Sequence, residues 1–323
     1  MPMTDILSLA ADNLISPIIL SFALGLLAAF ARSDLSIPEA VAKGMSIYLL
    51  FAIGFKGGAG VAAHGIDARL LGSLIAGLVL SAGIPFVAFA LLRAMTRLSP
   101  IDAAASAAHY GSISIVTFVA ATSVLGGRGV ASEGYMVAVA AIMEAPAILS
   151  ALWLVARSGK TGEMEPGLLR EILLNGSIVL LVGSFVIGWI TGEDGLARIE
   201  SFIVAPFQGV LCLFLLDMGL VAGRGLRDSR GTLGAGAVAF GVIMPPIGAS
   251  FGLVAALILG LSAGGTTLLM TLAASASYIA VPAAMRVALP EANPSIYLTL
   301  SLGVTFPFNL TVGIPLYTAI ALA

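Results

Sequence analysis

Apolar residues run in ten stretches along the chain, each long enough to cross a lipid bilayer as a helix. The predicted spans, numbered 1 to 10, cover residues 14–31, 39–55, 70–92, 101–125, 134–156, 171–191, 199–222, 232–259, 263–288 and 297–320. A polar linker, 158–170, separates the fifth span from the sixth. The pattern predicts an all-α membrane protein built from two five-helix halves, residues 1–157 and 171–323.

Two serine pairs lie at matching places in the halves. Ser112 and Ser114 lie in predicted span 4, and Ser275 and Ser277 lie 163 positions later in predicted span 9. Serine side chains compete for the hydrogen bonds of a helix backbone, so the pairs predict that helices 4 and 9 are interrupted. Because five spans per half is an odd number, the second half enters the membrane from the opposite side, which makes this an inverted repeat.

Two weaker features recur in the same order. The glycine-rich motif GFKGG, Gly54–Gly58, is matched by GLVAG, Gly219–Gly223, and both are small-xxx-small faces that let membrane helices approach closely. The last span of each half contains a proline, Pro146 and Pro307. These recurrences support a 5+5 repeat although few residues are identical.

Composition agrees with a membrane protein. Of the 323 residues, 59% are hydrophobic and only 10% are charged, against about 25% charged in a typical soluble domain. The mean hydropathy is +1.09. A net charge of -2 gives no reason to expect a nucleic-acid partner.

The basic residues predict the orientation in the membrane. Of the fifteen Lys and Arg residues, 11 lie at odd-numbered connections between spans and 4 at even-numbered ones. Since basic residues concentrate on the cytoplasmic side, the odd connections are expected there. The chain is therefore predicted to be a multi-pass protein of the inner (plasma) membrane with both termini outside.

The two breaks suggest a binding site for a small anion. A helix that restarts near Ile115, and another that restarts near Tyr278, would present unpaired N–H groups and a partial positive charge at mid-membrane. The serine hydroxyls add neutral donors, and neither serine pair contains Lys or Arg. The predicted anion-binding residues are Gly111, Ser112, Ile113, Ser114, Ala274, Ser275, Ala276 and Ser277. The alternative is that these small residues only pack helices tightly.

Glu144 is a charged residue inside predicted span 5, where charge is costly and usually functional. It precedes Pro146, whose missing N–H frees a backbone carbonyl in the preceding turn. A carboxylate with carbonyl and hydroxyl oxygens suits a hard cation such as sodium. The predicted sodium-binding residues are Glu144, Thr117, Thr305 and Asn309. Proton coupling and a purely structural role for Glu144 remain alternatives.

Other polar residues in the spans give less specific signals. Lys56 and Asp217 could pair across the halves or extend to the membrane interface. His109 lies three residues before Ser112, but no G-x-S-x-G elbow or orienting carboxylate accompanies them, so an intramembrane hydrolase is not favoured. No cofactor or metal site beyond sodium is predicted, and an enzyme is not expected.

Several segments resemble the sodium-dependent bicarbonate transporter family: AAHYGSISIVTF, MEAPAI, FLLDMGLVAGRGL, SASYIAVPAAMRVALPEANPSIYLTLSLGVTFPFNL and VGIPLY. The resemblance covers essentially the whole chain and is most specific over residues 275–315. It implies ten transmembrane helices, with a gate domain of spans 1, 2, 6 and 7 and a core domain of spans 3–5 and 8–10. It further implies a homotrimer that carries bicarbonate with sodium by an elevator-like movement of the core.

The family's binding motifs can be placed on this chain, with some differences. Its Ser-Gly-Ser-Thr stretch falls on residues 112–115, where Ile113 and Ile115 replace glycine and threonine. Its Ser-Ser-Ser-Asp stretch falls on residues 275–278, where Tyr278 replaces the carboxylate. Its Asp-Ile-Pro becomes Glu144-Ala145-Pro146, which keeps the acid and the proline.

The sequence thus predicts a sodium-coupled symporter of a small monovalent anion, with bicarbonate as the first choice. Another small anion, proton coupling, or an anion-binding membrane sensor are the alternatives. Relatives regulated by a PII-type signalling protein have a long charged loop between spans 5 and 6. The shorter linker here, 158–170, is compatible with such a partner but does not imply one.

Overall fold

The computed structural model describes residues 15–65, 67–157, 174, 176–228, 233–278, 281, 282, 284, 285 and 289–323, and all regular secondary structure in them is helical. The helices are α1 Pro17–Phe30, α2 Glu39–His64, α3 Ala68–Met95, α4 Pro100–Gly111, α5 Ile115–Gly127, α6 Met136–Ile142, α7 Pro146–Arg157, α8 Gly176–Ile203, α9 Phe207–Asp228, α10 Ala235–Leu259, α11 Ala263–Ala274 and α12 Pro294–Ala321. The linker predicted at 158–170 lies outside the described residues.

The lengths of the helices fit a membrane protein. Among the described residues, eight stretches are long and apolar enough to cross a membrane, and the apolar helices α1 and α11 are shorter. Two of the eight stretches are each made of two consecutive helices, α4 with α5 and α6 with α7. Every predicted span contains at least one of these helices, although the count of ten crossings stays a prediction.

The predicted end of span 6, at residue 191, coincides with a kink in α8. The backbone at Gly192 is not helical, with φ 59° and ψ -151°, and it joins two helical segments that together run to Ile203. This positive φ is readily available to glycine, so the chain changes direction there. The polar sequence after Gly192 resembles a loop in composition, but it forms the exposed end of α8.

Helices α1, α2, α8 and α9 form one group through very close backbone contacts. A Cβ atom on Gly25 of α1 would lie 2.0 Å from the carbonyl oxygen of Leu216 on α9. A Cβ atom on Gly188 of α8 would lie 2.1 Å from the carbonyl oxygen of Phe55 on α2. Gly25 and Gly188 are 163 positions apart, so the matching glycine of each half packs on a backbone carbonyl of the other half.

The glycine motifs predicted to bring helices together do so. A Cβ atom on Gly58 would lie 1.9 Å from the carbonyl oxygen of Phe185, and one on Gly219 would lie 2.1 Å from that of Phe22. Phe22 and Phe185 are also 163 positions apart. The paired contacts join α1 to α9 and α8 to α2, and the interpretation of both motifs as packing faces is confirmed.

The remaining helices, α3 to α7 and α10 to α12, form a second group around the broken helices. Pro85 inside α3 packs on Gly111 at the end of α4, where a Cβ atom would lie 2.3 Å from the proline ring. Gly248 inside α10 packs on the end of α11, where its Cβ atom would lie 2.1 Å from the carbonyl oxygen of Ala273. Pro85 and Gly248 occupy matching positions in the two halves, and each brings a long helix against the end of a broken one.

Candidate functional site

The break in predicted span 4 is present and short. Helix α4 ends at Gly111 and α5 begins at Ile115, with Ser112 extended at φ -84° and ψ 170°. Ser114 is the N-cap of α5, because its Oγ accepts a hydrogen bond from the backbone N–H of Thr117 at 3.2 Å. The Thr117 hydroxyl donates to the same oxygen at 2.9 Å. The restart at Ile115 is therefore as predicted.

The break in predicted span 9 has the same start. Helix α11 ends at Ala274, and Ser275 has φ -82° and ψ 164°, close to the values at Ser112. Ser277 Oγ accepts a hydrogen bond from the backbone N–H of Val281 at 3.4 Å. Val281 and Pro282 are helical, so the restart lies after Tyr278 rather than at it. Proline is well placed there, since a first helical turn does not need its missing N–H.

The two breaks bind each other inside the protein. The backbone N–H of Ser114 donates to Ser275 Oγ at 2.9 Å, and the backbone N–H of Ser277 donates to the carbonyl oxygen of His109 at 2.7 Å. All four break serines are buried. The predicted convergence of the two breaks is thus present, but two backbone N–H groups that the sequence assigned to an anion have protein partners.

The four serine hydroxyls differ in whether they donate a hydrogen bond within the protein. Each can donate one proton and accept two hydrogen bonds. Ser112 Oγ donates to the Glu144 carboxylate at 3.3 Å, and Ser275 Oγ donates to the carbonyl oxygen of Leu272 at 2.9 Å. Ser114 and Ser277 act only as acceptors in the hydrogen bonds among the described residues, and the Tyr278 hydroxyl lies near Ser114 without reaching hydrogen-bond geometry. No hydrogen bond among the described residues uses the protons of these two hydroxyls, so both are available to a ligand.

The other predicted anion-site residues shape the breaks through their packing and their backbone carbonyls. Gly111 gives space to Pro85 of α3, and the carbonyl oxygen of Ala274 accepts a hydrogen bond from Asn309. Ile113 is buried in the apolar core beside α5, and Ala276 is buried among side chains of α3 and α10. The substitution of isoleucine for glycine at residue 113 thus adds core packing next to the break.

A third break, which the sequence analysis did not predict, lies at Glu144. Helix α6 ends at Ile142 and α7 begins at Pro146, so predicted span 5 is not one continuous helix. The hydroxyl of Ser81 on α3 donates to the carbonyl oxygen of Met143 at 2.6 Å, which satisfies one backbone group that the break exposes. The signal was the sequence MEAP, because a proline disfavours the helical conformation in the residue before it.

The carboxylate of Glu144 is only 7% exposed, and its Oε2 accepts the hydrogen bond from Ser112. It thus lies next to the first break, within the part of the chain that carries the predicted anion site. Thr117 lies on the same side, where its hydroxyl is bound to Ser114. These two predicted sodium ligands belong to the first half of the chain.

The predicted ligands Thr305 and Asn309 lie in α12. The Thr305 hydroxyl donates to the carbonyl oxygen of Gly241 at 2.8 Å, and it therefore accepts the 2.6 Å hydrogen bond from the Tyr110 hydroxyl. Asn309 donates through Nδ2 to the carbonyl oxygen of Ala274 at 2.9 Å and accepts through Oδ1 from the Tyr317 hydroxyl at 3.0 Å. The set of four sodium ligands stays a prediction.

Helix α12 accommodates Pro307 without a break. Two π-helical stretches, Thr299–Thr305 and Asn309–Gly313, flank the short α-helical segment that contains the proline. A wider helical turn absorbs a residue that a regular α-helix would not tolerate, and such bulges are frequent at functional sites. The matching prolines of the two halves therefore produce different local structures.

The other polar residues noted in the predicted spans, Lys56, Asp217 and His109, each contact a group other than the one considered from the sequence. The Lys56 ammonium lies 4.0 Å from the ring centroid of Phe207, and Asp217 interacts electrostatically with Arg224, so the structure does not support a Lys56–Asp217 pair. His109 donates from Nδ1 to the carbonyl oxygen of Ala105 at 2.6 Å and stacks on Tyr297. These contacts hold the imidazole against the backbone and another ring, which is not the arrangement of a hydrolase.

A bundle of apolar helices whose broken segments meet inside, with polar side chains at the breaks, is the architecture of a membrane transporter. The family model for the Na+-dependent bicarbonate transporter superfamily matches residues 17–322. The chain therefore belongs to this superfamily, and it is a membrane transporter rather than an enzyme. A search of curated proteins finds no relative that matches the chain.

Proposed function

We propose that the protein is a sodium-coupled symporter of a small monovalent anion, bicarbonate, and that the anion binds between the two serine breaks. The observation that carries this proposal is the pair of buried hydroxyls, Ser114 and Ser277, whose protons are used by no hydrogen bond among the described residues. They come from opposite halves of the chain, and the reciprocal hydrogen bonds between the breaks hold them near each other.

Neutral donors suit a substrate that must bind and leave again. Neither break contains Lys or Arg, so an anion would be held by hydroxyl groups and by the positive end of α5. A bicarbonate ion has one negative charge, three oxygens that accept hydrogen bonds and one hydroxyl that donates. Two donors from two sides could hold such an ion without the strong attraction of a fixed cation.

Sodium is the proposed coupling ion, with Glu144 as its charged ligand. The carboxylate is buried, it touches Ser112, and it lies in a break where backbone carbonyls lack their helical partners. Oxygen ligands of this kind match a hard cation. Because Ser112 is two residues from Ser114, an ion at Glu144 would lie close to the proposed anion.

The proposed movement uses the two groups of helices. The contacts that pair Gly25 with Leu216 and Gly188 with Phe55 support a 5+5 inverted repeat, because a glycine at the matching position of each half packs on a backbone carbonyl of the other half. In an elevator-type carrier, the group α1, α2, α8 and α9 would be the fixed gate, and the broken helices would move as the core. The homotrimer, and the orientation in the inner membrane with both termini outside, rest on the family resemblance and on the distribution of basic residues.

Uptake into sealed vesicles tests the proposal. Purified protein is reconstituted, and entry of labelled bicarbonate is followed at short times and alkaline pH, where little CO2 is present to cross the bilayer. Uptake that requires an inward sodium gradient, and that is lost when potassium replaces sodium or when the vesicles lack protein, is the expected result. Anion binding without uptake would identify a sensor, and uptake driven by a proton gradient alone would refute sodium coupling.

A further inference from the structure

A pocket of about 480 Å³ lies between the end of α9 and the beginning of α12. On α9 it is lined by Val221 and Arg224, and on α12 by Ser295, Thr299, Leu302 and Gly303. These α12 residues cover two successive turns, so the pocket follows the helix inward from its exposed end. Because α9 belongs to the proposed gate and α12 to the proposed core, the pocket lies on the boundary between them.

Three aromatic side chains meet one helical turn beyond this pocket. Phe306 lies four residues after the pocket-lining Leu302 on α12, and it is 1% exposed. Its ring centroid lies 5.4 Å from that of Phe22 on α1 and 5.3 Å from that of Tyr278, both in edge-to-face geometry. We name Phe22, Phe306 and Tyr278 the aromatic plug. It joins a gate helix to two segments of the core.

One member of the plug belongs to a serine break. Tyr278 directly follows Ser277, and its buried hydroxyl lies near that of Ser114 without reaching hydrogen-bond geometry. The same tyrosine therefore contacts Phe306 with its ring and lies beside both proposed anion donors.

We propose that this pocket is a solvent route to the anion site and that the aromatic plug is the barrier that closes it. The proposal rests on the proposed function only for the nature of the passing ligand, a small singly charged oxyanion. A constriction of apolar rings blocks ions because it excludes water. Opening requires the Phe22 and Phe306 rings to separate, which a displacement of the core past the gate would achieve.

Arg224 gives the route its charge. Its guanidinium donates a hydrogen bond of 2.8 Å to the carbonyl oxygen of Leu35, and this bond holds the side chain at the pocket. A guanidinium has five N–H donors in all, so this bond uses only one of them. A positive group in a cleft raises the local concentration of anions. Asp217, two turns away on α9, interacts electrostatically with Arg224 but does not line the pocket.

Cysteine labelling tests the barrier without any need for transport. Ser277→Cys is placed in a chain in which the single native cysteine is replaced, Cys212→Ala. A small anionic, membrane-impermeant thiol reagent is added to vesicles from the side on which Arg224 lies. Ser277 is 1% exposed, so labelling of this background is expected to be slow. Phe306→Ala is expected to raise the labelling rate at least tenfold.

Phe240 offers a matched control. It is a fully buried phenylalanine in edge-to-face contact with Tyr110 at 4.8 Å, but it lies on α10, away from the pocket. Phe240→Ala removes the same ring and is expected to leave the labelling rate within twofold of the background. An equal rise in both variants, or no rise in Phe306→Ala, would overturn the proposal. Should Phe306→Ala fail to fold, Phe22→Ala tests the same contact from the gate side.

A second arm tests the ligand class. Arg224→Gln, added to the chain that carries Ser277→Cys and Phe306→Ala, is expected to slow labelling of the introduced thiol by the anionic reagent at least threefold at low ionic strength. Labelling by a neutral reagent of similar size should not change. An equal effect on both reagents would refute the role of Arg224. Neither arm requires sodium or bicarbonate, so a failure of the uptake experiment and a failure of this one are separate results.

Discussion

Alanine substitution of the two serines with unassigned protons is the most direct test of the anion site. Ser114→Ala and Ser277→Ala each remove one donor from the proposed ligand and leave the second donor in place. Each also removes an acceptor of a backbone hydrogen bond at the restart, because Ser114 Oγ, the N-cap of α5, accepts from Thr117 and Ser277 Oγ accepts from Val281. The two consequences are separable, since the first lowers affinity for the anion and the second lowers stability.

The expected sizes follow from the contacts. A hydrogen bond to a charged group contributes about 1.5–3 kcal/mol, so loss of one donor should weaken anion binding by roughly ten- to 150-fold. Loss of a serine cap costs about 1 kcal/mol of stability. Ser114 should lose more stability than Ser277, because it accepts two hydrogen bonds at 3.2 and 2.9 Å whereas Ser277 accepts one at 3.4 Å.

The assay measures both quantities on purified protein, affinity by isothermal titration of the anion in the presence of sodium and stability by thermal unfolding. Ser16→Ala is a matched control, because Ser16 caps α1 through a hydrogen bond from Ile19 at 3.4 Å, the same length as the cap at Ser277. The control should lose stability and keep its affinity. Wild-type affinity in both Ser114→Ala and Ser277→Ala, with lowered stability, would show that the serines only pack and cap the helices.

Two further predictions concern the cation and the topology. Glu144→Gln keeps the size of the side chain but removes its charge, and it should raise the sodium concentration for half-maximal transport about tenfold or more. The control Glu133→Gln, whose side chain accepts a hydrogen bond from Ser262 at the exposed start of α11, should not. An unchanged sodium dependence with an altered proton dependence would favour proton coupling. A cysteine at Thr161 should resist an impermeant reagent added outside intact cells, and efficient labelling there would reverse the predicted orientation.

The location of both serine breaks could be predicted because the signal is local. A pair of serines in an apolar stretch competes with the helix backbone, and the recurrence at an offset of 163 residues marked Ser112 and Ser275 as equivalent. The structure gives these two residues nearly the same backbone angles. The helix faces at Gly58 and Gly219 could be predicted for a similar reason, since a small-xxx-small pattern needs no knowledge of the partner helix.

The features that could not be predicted depend on contacts between distant parts of the chain. Nothing in the sequence around Ser114 indicates that its backbone N–H is bound to Ser275, so the sequence overstated the number of free donors. The same limit applies to proline. The break before Pro146 is completed by a hydrogen bond from Ser81 to Met143, while Pro307 lies in a helix widened by π-helical turns.

The two halves thus share a backbone framework but not the chemistry beside it. At the first break the neighbouring polar side chain is the carboxylate of Glu144, bound to Ser112, and at the second it is the amide of Asn309, bound to Ala274. In the proposed symporter, the framework would give the anion one hydroxyl from each half, which suits a ligand held near the pseudo-symmetry axis. The side chains give only one of the two breaks an acidic group. A buried carboxylate without a cation is costly, so the proposed inequality would favour movement of the core only when sodium is bound at Glu144.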